Sequence, residues 1–596
     1  MTRLLPRWIP VAPIGPLVVA LMTILMVAPF GIAHGAEGDE AGFRHLADEF
    51  IDQYYFVFNP SIATSEGVHR FDDRLEDYSR AGIERDVRAL QGYEQRLAAI
   101  DAAQLSQQSA GDRELLLSYV RSSLLTLQTI RPWEKNPDFY SSGIGNSAYV
   151  IMEREYAPAN ERLRALIARE RQMPAVLQAA RHNLTDPPRI FTQIALEQLP
   201  GIESLFAHDV PAAFAAADDP QLKAQFAQAN ARVVKSLQDY QSWLKHDLLP
   251  RSKGDFRIGA KAFSDKLRYD EMVDTPLDRL LEIGTDDLHR NQAEFARVGG
   301  QLAPGKTPQE VLAQLTRNHP AADQLLDAVQ ADFAAQLQFI RDHRIISVPA
   351  EPLPKVIETP PFMRAMTQAS LDPPGAFETT AAQSYFNVTL PDPSWSADRV
   401  DDYLRGFNYP LDSNLSVHEA FPGHFFQFAN LRHLDDRVRQ LFYANTNVEG
   451  WAHYCEQMML DEGFSMPVPG SSDAQAPQLL RMSQLVDALL RDARFIVGIK
   501  MHTGQMTFDQ AVDFFVTEGY QPREIGLVEA KRGTADPTYL YYTLGKLEIL
   551  KLRADVQARE GQAFRLQEFH DRFMQQGAPP IRIVRRAMLQ DDSPTL

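Results

Sequence analysis

The stretch SNLSVHEAFPGHFFQFANLRHL, Ser413 to Leu434, reads as a helix with a fault in its middle. Apolar residues recur along it, but Pro422 and Gly423 fall at its centre. Proline removes a backbone donor and clashes with the preceding turn. On either side of the fault stand His418 with Glu419, and His424. A zinc-protease helix of the H-E-x-x-H type places two histidines four apart on one face. Here they are six apart. In an unbroken helix the residue sharing a face with His418 is Pro422, which ligates nothing. His424 would stand about 9 Å along the axis and on another face. A regular helix therefore makes no site. A distortion at Pro422-Gly423, where glycine tolerates unusual dihedrals, is expected to turn His424 back beside His418. The alternative is a kinked core helix carrying two ordinary histidines.

The next segment bears on that choice. NTNVEGWAHYCEQMMLDEGF, residues 445–464, reads as a helix ending near Gly463. Catalytic zinc takes three protein ligands and keeps one position open. Glu449, 25 residues after His424, sits where zinc peptidases with a glutamate ligand take their third. Glu456, seven residues on and on the same face, is a carboxylate suited to orienting an imidazole. Each glutamate alone would be an ordinary surface residue. Set among Trp451, Tyr454 and Met458, burial is expected, and a buried carboxylate needs a partner. His453 is a rival ligand on the Glu449 face. Cys455 faces away and suits a small core position.

Outward from this region the chain is helical in pattern. FRHLADEFIDQYYFVF (43–58), RELLLSYVRSSLLTLQTI (113–130) and TPLDRLLEIGTDDLHRNQAEFARVG (275–299) repeat apolar residues at spacings of three and four. Thr275-Pro276 makes a good helix entry. Between about 345 and 395 the pattern changes and prolines gather. There QSYFNVTLPDP predicts a short strand near residues 383–390, at a sheet edge because prolines flank it. Helical patterns then resume to about Arg572. The expected architecture is mainly α, with one small β element just before the His-Glu stretch.

The chain has 596 residues, 44% of them hydrophobic, which is ample for a large core. A net charge of −18 argues against nucleic acid as a partner and against docking on an anionic bilayer. Arg3 and Arg7 precede an apolar run and then AHGAEGDE, the pattern of an export signal spanning residues 1–36. Retention as a membrane anchor is the alternative, because the run approaches the ~20 residues of a spanning helix. Cleavage would remove two arginines and no acids, taking the charge from −18 to −20. A periplasmic or secreted protein follows, with no stable membrane association. No cysteine follows the run, so there is no point for lipid attachment. The single cysteine, Cys455, rules out a disulfide within one chain.

HEAFPGHFFQ (418–427) followed by EGWAHYCEQMMLDEG (449–463) resembles the bacterial domain of unknown function 885 family. Its pattern is H-E-x-x-P-G-H with a later E-G-W-A-x-Y-x-E. PSIATSEGVHRFDDRLEDYS (60–79), RFIVGIKMHTGQMTFDQA (494–511) and DPTYLYYTLGKLEILKLR (536–553) resemble its other segments, so the likeness spans most of residues 37–596. The family is similar to gluzincin-type zinc metallopeptidases. The resemblance implies one helical peptidase-like domain, two-lobed around a cleft, with the metal site within 383–550. It implies one zinc ion held by His418, His424 and Glu449, with Glu419 as general base. Many members carry a second histidine where this chain has Phe425, and an aspartate where it has Gly498.

On that reading Glu419 takes the proton of the attacking water and returns it to the leaving amine. Donors must then hold the oxyanion. Tyr542, with support from the resemblance, is the first expected donor, ahead of Tyr539 and Tyr541; His502 is the second. Arg494 or Arg532 would clamp a peptide carboxylate with a guanidinium fork. Asn387 would help align an extended peptide by strand addition. The leading function is a zinc metallopeptidase acting on short peptides. A zinc amidase or esterase on a non-peptide substrate uses the same ligands. A catalytically inert peptide-binding protein is the third reading, disfavoured by the intact Glu419. Histidine and carboxylate ligands suit several divalent ions, zinc foremost.

Overall fold

A computed structural model describes residues 35–360, 364 and 368–596. The segment read as an export signal lies outside them but for its last two residues. Among the described residues the fold is mainly α, with a single three-stranded sheet. No described helix is long and apolar enough to cross a membrane.

The helices follow the apolar spacing. Helix α1, Leu277–Leu302, starts directly after Pro276 and buries Leu280, Leu288, Phe295 and Val298. Helix α2, Leu325–His343, turns Val329, Phe333, Leu337 and Ile340 inward. The repeated spacing of three or four keeps each set on one stripe.

The sheet is built from β1 (Lys355–Glu358), β2 (Ala369–Asp372) and β3 (Tyr385–Val388). The strand expected near 383–390 is β3, but it is not an edge strand. It lies in the middle, parallel to β1 and antiparallel to β2. Pro391 and Pro393 fall beyond the paired residues, so they remove no hydrogen bond from either ladder. Asn387 is paired on both sides, with Ile357 and Ser370. It therefore cannot recruit a peptide by strand addition. Phe386 and Val388 enter the core, where Phe386 meets Phe333 edge-on at 5.2 Å.

Six further helices frame the site. They are α3 (Tyr409–Glu419), α4 (His424–Arg432), α5 (Asn445–Asp461), α6 (Ala476–His502), α7 (Arg523–Ala535) and α8 (Tyr541–Glu560). Helix α6 packs along α1, and α5 along α8. The second pair crosses at two glycines. A Cβ on Gly545 would fall 1.8 Å from the Thr446 carbonyl oxygen, and one on Gly450 2.6 Å from the Gly545 Cα. Only glycine permits this approach. It places Glu449 on α5 near Tyr542 on α8. One apolar core runs beneath, joining Phe333, Phe386, Phe421, Phe425, Trp451 and Phe573.

Candidate metal centre

The fault in the opening stretch is a complete break. Helix α3 ends at Glu419 and α4 begins at His424. The Phe421–Pro422 peptide is cis. Backbone bonds close the break: Phe421 N–H donates to the Ser416 carbonyl at 3.1 Å, and Gly423 N–H to that of Val417 at 3.0 Å. A side chain at 423 has no room, since a Cβ there would stand 1.8 Å from the His418 carbonyl oxygen. The Trp451 indole on α5 donates to the Pro422 carbonyl at 2.9 Å. Phe421 packs edge-on against Phe333 at 4.6 Å. The break is thus held by the core on both sides.

Its result is that the two imidazoles meet, ring centres 4.8 Å apart and nearly perpendicular. Glu449 Oε2 lies 3.4 Å from His418 Nε2 and 3.5 Å from His424 Nε2. Ligand atoms about 2.0–2.1 Å from a tetrahedral zinc are separated by about 3.3 Å. Glu449 Oε2 therefore stands near the edge length of a zinc tetrahedron from each imidazole nitrogen. One donor atom each of His418, Glu419 and His424 also lies within 4.8 Å of the others. Two carboxylates thus adjoin the histidine pair. Glu449 has an oxygen at ligand spacing from both imidazoles at once, and Glu419 completes the looser group. That Glu449 oxygen is buried and has no hydrogen-bond partner. Such an atom is costly unless a cation satisfies it. The three donors fit a divalent ion, with Glu419 beside it.

The imidazoles are oriented from behind. His418 Nδ1 donates to Glu456 Oε1 at 2.6 Å. Since a carboxylate only accepts, this leaves the Nε2 lone pair toward Glu449. The other Glu456 oxygen accepts from His453 Nδ1 at 3.1 Å, and Arg491 pairs with the same carboxylate at 3.0 Å. Burial opposes the Glu456 charge, but Arg491 and then His453 hold it well below the usual carboxylate range. Burial likewise opposes charge on His418, yet Glu449 and Glu456 raise it to about 9. Glu449 is held low against its burial by His418 and His424.

His453 does not join the ligand set. It is fully buried against Glu456, and burial takes it down to about 3. Cys455 lies in the core, its thiol pushed up by burial. Phe425 is buried in the same core, so this position faces apolar side chains. At Gly498 a Cβ would stand 2.8 Å from the Pro537 carbonyl and 3.1 Å from the Tyr539 ring. An aspartate there would need the Pro537 backbone to move as well as Tyr539.

Tyr542 is buried, its ring surrounded by the guanidinium groups of Arg494 at 5.0 Å, Arg491 at 5.5 Å and Arg532 at 5.7 Å. Burial raises its hydroxyl, and the nearby Glu449 charge adds to this. Tyr541 instead donates to Asp536 at 2.9 Å. Tyr539 is fully buried behind them. His502 stands outside the cluster. Its Nε2 donates to the Gly533 carbonyl at 2.7 Å and its Nδ1 accepts from Ile258 N–H at 3.3 Å. Both ring nitrogens are thereby committed to backbone, and burial takes it down to about 4. Arg494 is occupied too, bonding Glu529 through Nε at 2.6 Å and Nη2 at 2.8 Å.

Sequence reasoning missed Arg491. Its only signal was a cation inside a helix otherwise apolar on most faces, where burial requires an anionic partner. Also unforeseen was Glu271, which accepts from Thr446 N–H at 2.8 Å and its hydroxyl at 2.6 Å. It thereby caps the start of α5.

Two histidines and a glutamate thus converge within a helical body, with Glu419 beside them. The chain belongs to the family described as "Bacterial protein of unknown function (DUF885)", whose model matches residues 60–588. No curated protein matches it. Among solved structures, a protein from Shewanella oneidensis, described as a "putative lipoprotein of unknown function", is 26% identical with a TM-score of 0.77. The match covers 92% of this chain and 99% of that one. A "putative lipoprotein" from Colwellia psychrerythraea is 18% identical, also with a TM-score of 0.77, covering 93% and 99%. The second likeness is one of fold alone.

Proposed function

We propose that this protein is a zinc-dependent metallopeptidase acting on short peptides. The observation that carries the reading is Glu449 Oε2, buried without a hydrogen bond and 3.4 and 3.5 Å from two imidazole nitrogens. His418, His424 and Glu449 would hold the ion; when bound, it supplies Lewis acidity toward a water and a carbonyl. Glu419 follows His418 directly and is only partly buried, so it can meet an incoming water. It accepts that water's proton and later delivers it to the leaving amine. The Tyr542 hydroxyl, close enough to Glu449 to feel its charge, donates to the oxyanion as it develops. Glu456 keeps the His418 proton on Nδ1 throughout, so Nε2 stays a ligand.

Beside His424, Phe428 lies 6.0 Å away ring to ring and lines a cavity of about 460 Å³ with Leu431, Tyr443 and Asp372. None of His418, Glu419, His424 or Glu449 lines that cavity, so it adjoins the centre through Phe428. The protein is proposed to be exported, on the basic and apolar pattern of residues 1–36 and the descriptions of the two similar proteins. Lipid attachment is not proposed, because the one cysteine, Cys455, is buried in the core.

The test pairs metal analysis with one variant. Purified protein is expected to bind one zinc ion per chain and to cleave members of a short-peptide library. Glu419→Gln should keep the zinc and lose about 10²–10⁴-fold in kcat, the usual contribution of a general base. Stoichiometric zinc with unchanged turnover in that variant would overturn the role of Glu419. Absence of zinc binding would overturn the whole reading.

A further inference from the structure

Three arginines surround Tyr542, and they differ in what they hold. Arg494 is buried, and its Nε and Nη2 both donate to Glu529. Arg491 is buried on Glu456, with Asp487 3.9 Å away. Arg532, in the last turn of α7, is fixed differently. Its Nη2 donates to the Tyr541 and Tyr542 hydroxyls, each at 3.2 Å. Its nearest acid is Asp536 at 3.5 Å, and that carboxylate already accepts from the Tyr541 hydroxyl. The Arg532 side chain retains 37% exposure.

The surroundings keep this guanidinium in place. Gly533, the next residue, has its carbonyl bound by His502 and its Cα packed so that a Cβ would meet the Tyr539 hydroxyl at 2.4 Å. His502, bound to backbone through both ring nitrogens, anchors the turn that carries Arg532. A guanidinium positioned by two hydroxyls, partly open to solvent and paired only at 3.5 Å with an acid that Tyr541 also engages, is a preorganised receptor for a second carboxylate. It shares the Tyr542 hydroxyl with the site where the oxyanion would form.

We propose that Arg532 binds the free C-terminal carboxylate of a peptide, making the protein a C-terminal exopeptidase. The inference rests on the metallopeptidase reading for the cleavage, but not for the binding. Tyr542 would serve both ends of the step, receiving Arg532 on its oxygen while donating its proton to the oxyanion. Binding of the chain end beside it would set the scissile bond within the last residues. Internal segments, which lack a terminal carboxylate, would be poor substrates.

The experiment separates binding from cleavage. Binding is measured by calorimetry on zinc-loaded full-length Glu419→Gln, with N-acetylated tripeptides as free acids and as C-terminal amides. The free acid is expected to bind about 100-fold more tightly, as for a charge-assisted fork. Adding Arg532→Gln should abolish that preference while amide binding stays unchanged. Arg532→Lys, which keeps the charge but not the fork, should restore part of it, and it serves if the glutamine variant does not fold. Cleavage is then followed by mass spectrometry with otherwise wild-type zinc-loaded protein. Release of C-terminal fragments from acids but not amides is expected. Equal binding of acid and amide, or a preference that survives Arg532→Gln, overturns the inference whatever the cleavage result. An Arg532-dependent preference without any hydrolysis upholds the carboxylate site and overturns the peptidase reading and the exopeptidase assignment. Tight binding of amides that end in Asp would assign the receptor to an acidic side chain and overturn the exopeptidase assignment.

Discussion

Replacing Gly423 by alanine should dismantle the metal centre while leaving the helices in place. The added Cβ would stand 1.8 Å from the His418 carbonyl oxygen and 2.4 Å from that of Val417. Real Cβ contacts do not fall below 3.0 Å, so residue 423 and the His418 carbonyl must separate by about 1.2 Å, and His424, the next residue, is displaced with it. A metal site tolerates displacements of only about 0.2 Å. A 1 Å misplacement costs about 100-fold, or roughly 2.7 kcal/mol. Zinc affinity, read by competition with a chromophoric chelator, should therefore fall at least 100-fold. Far-ultraviolet circular dichroism should hardly change, because α3 and α4 already end at the break. Gly92 supplies the control. It lies inside the helix Arg80–Ala99 with nothing within 4 Å of a built Cβ. Gly92→Ala should stabilise the protein by about 0.5–1 kcal/mol and leave zinc affinity untouched. Wild-type zinc affinity in Gly423→Ala would refute the claim that this break creates the site.

Glu456→Gln should lower zinc affinity about 10–100-fold by loosening the His418 tautomer. It should also destabilise the fold, by less than the about 3–5 kcal/mol of a fully unpaired buried charge because Asp487 stands 3.9 Å from Arg491; a lower melting temperature with unchanged zinc affinity would contradict the orienting role. The metal-free protein should lose stability as pH rises. The His418 value is raised, from 6.5 to about 9, so its contribution is complete below about 6.5 and disappears as pH climbs through 9. A zinc ion takes the place of that proton, so the loaded protein should show a flatter profile over pH 6.5–9 in denaturant titrations. Parallel profiles for the two forms would place the proton elsewhere.

The parts of the site legible in sequence were those carried by short-range spacing. His418, Glu419 and His424 flank a Pro-Gly pair, and that pair announces a departure from helix. Glu449 and Glu456, seven apart among apolar residues, announce one buried acidic face. What could not be read was the form of the break and the position of β3. A kinked helix and two separate helices obey the same local rules. The choice falls to tertiary partners such as Phe333 and Trp451, which are distant in sequence. β3 was assigned to an edge from its flanking prolines, yet both prolines lie past the ladder, and β1 and β2 are too short and irregular in pattern to be seen. The arginines near Tyr542 were visible as cations. Their separation into occupied and open ones depends on Glu529, Glu456 and two tyrosine hydroxyls, none of which is a helical neighbour of the arginine it holds.

The broken motif also changes where the site's precision comes from. In an H-E-x-x-H helix, the separation of the two histidines is set by helix geometry alone, since residues four apart share a face. Here the α3–α4 break must be held from outside, and α5 supplies most of what holds it. Glu449 on α5 faces both imidazoles, Glu456 orients His418, and Trp451 grips the Pro422 carbonyl. The three residues span two turns of one helix. That helix is in turn fixed against α8 at Gly450 and Gly545, and α8 carries Tyr542. Any motion of α5 along α8 would therefore shift the third ligand, the orienting carboxylate and the clamp on the break together. On the proposed reading, metal affinity becomes a property of the α5–α8 crossing as much as of the ligands themselves.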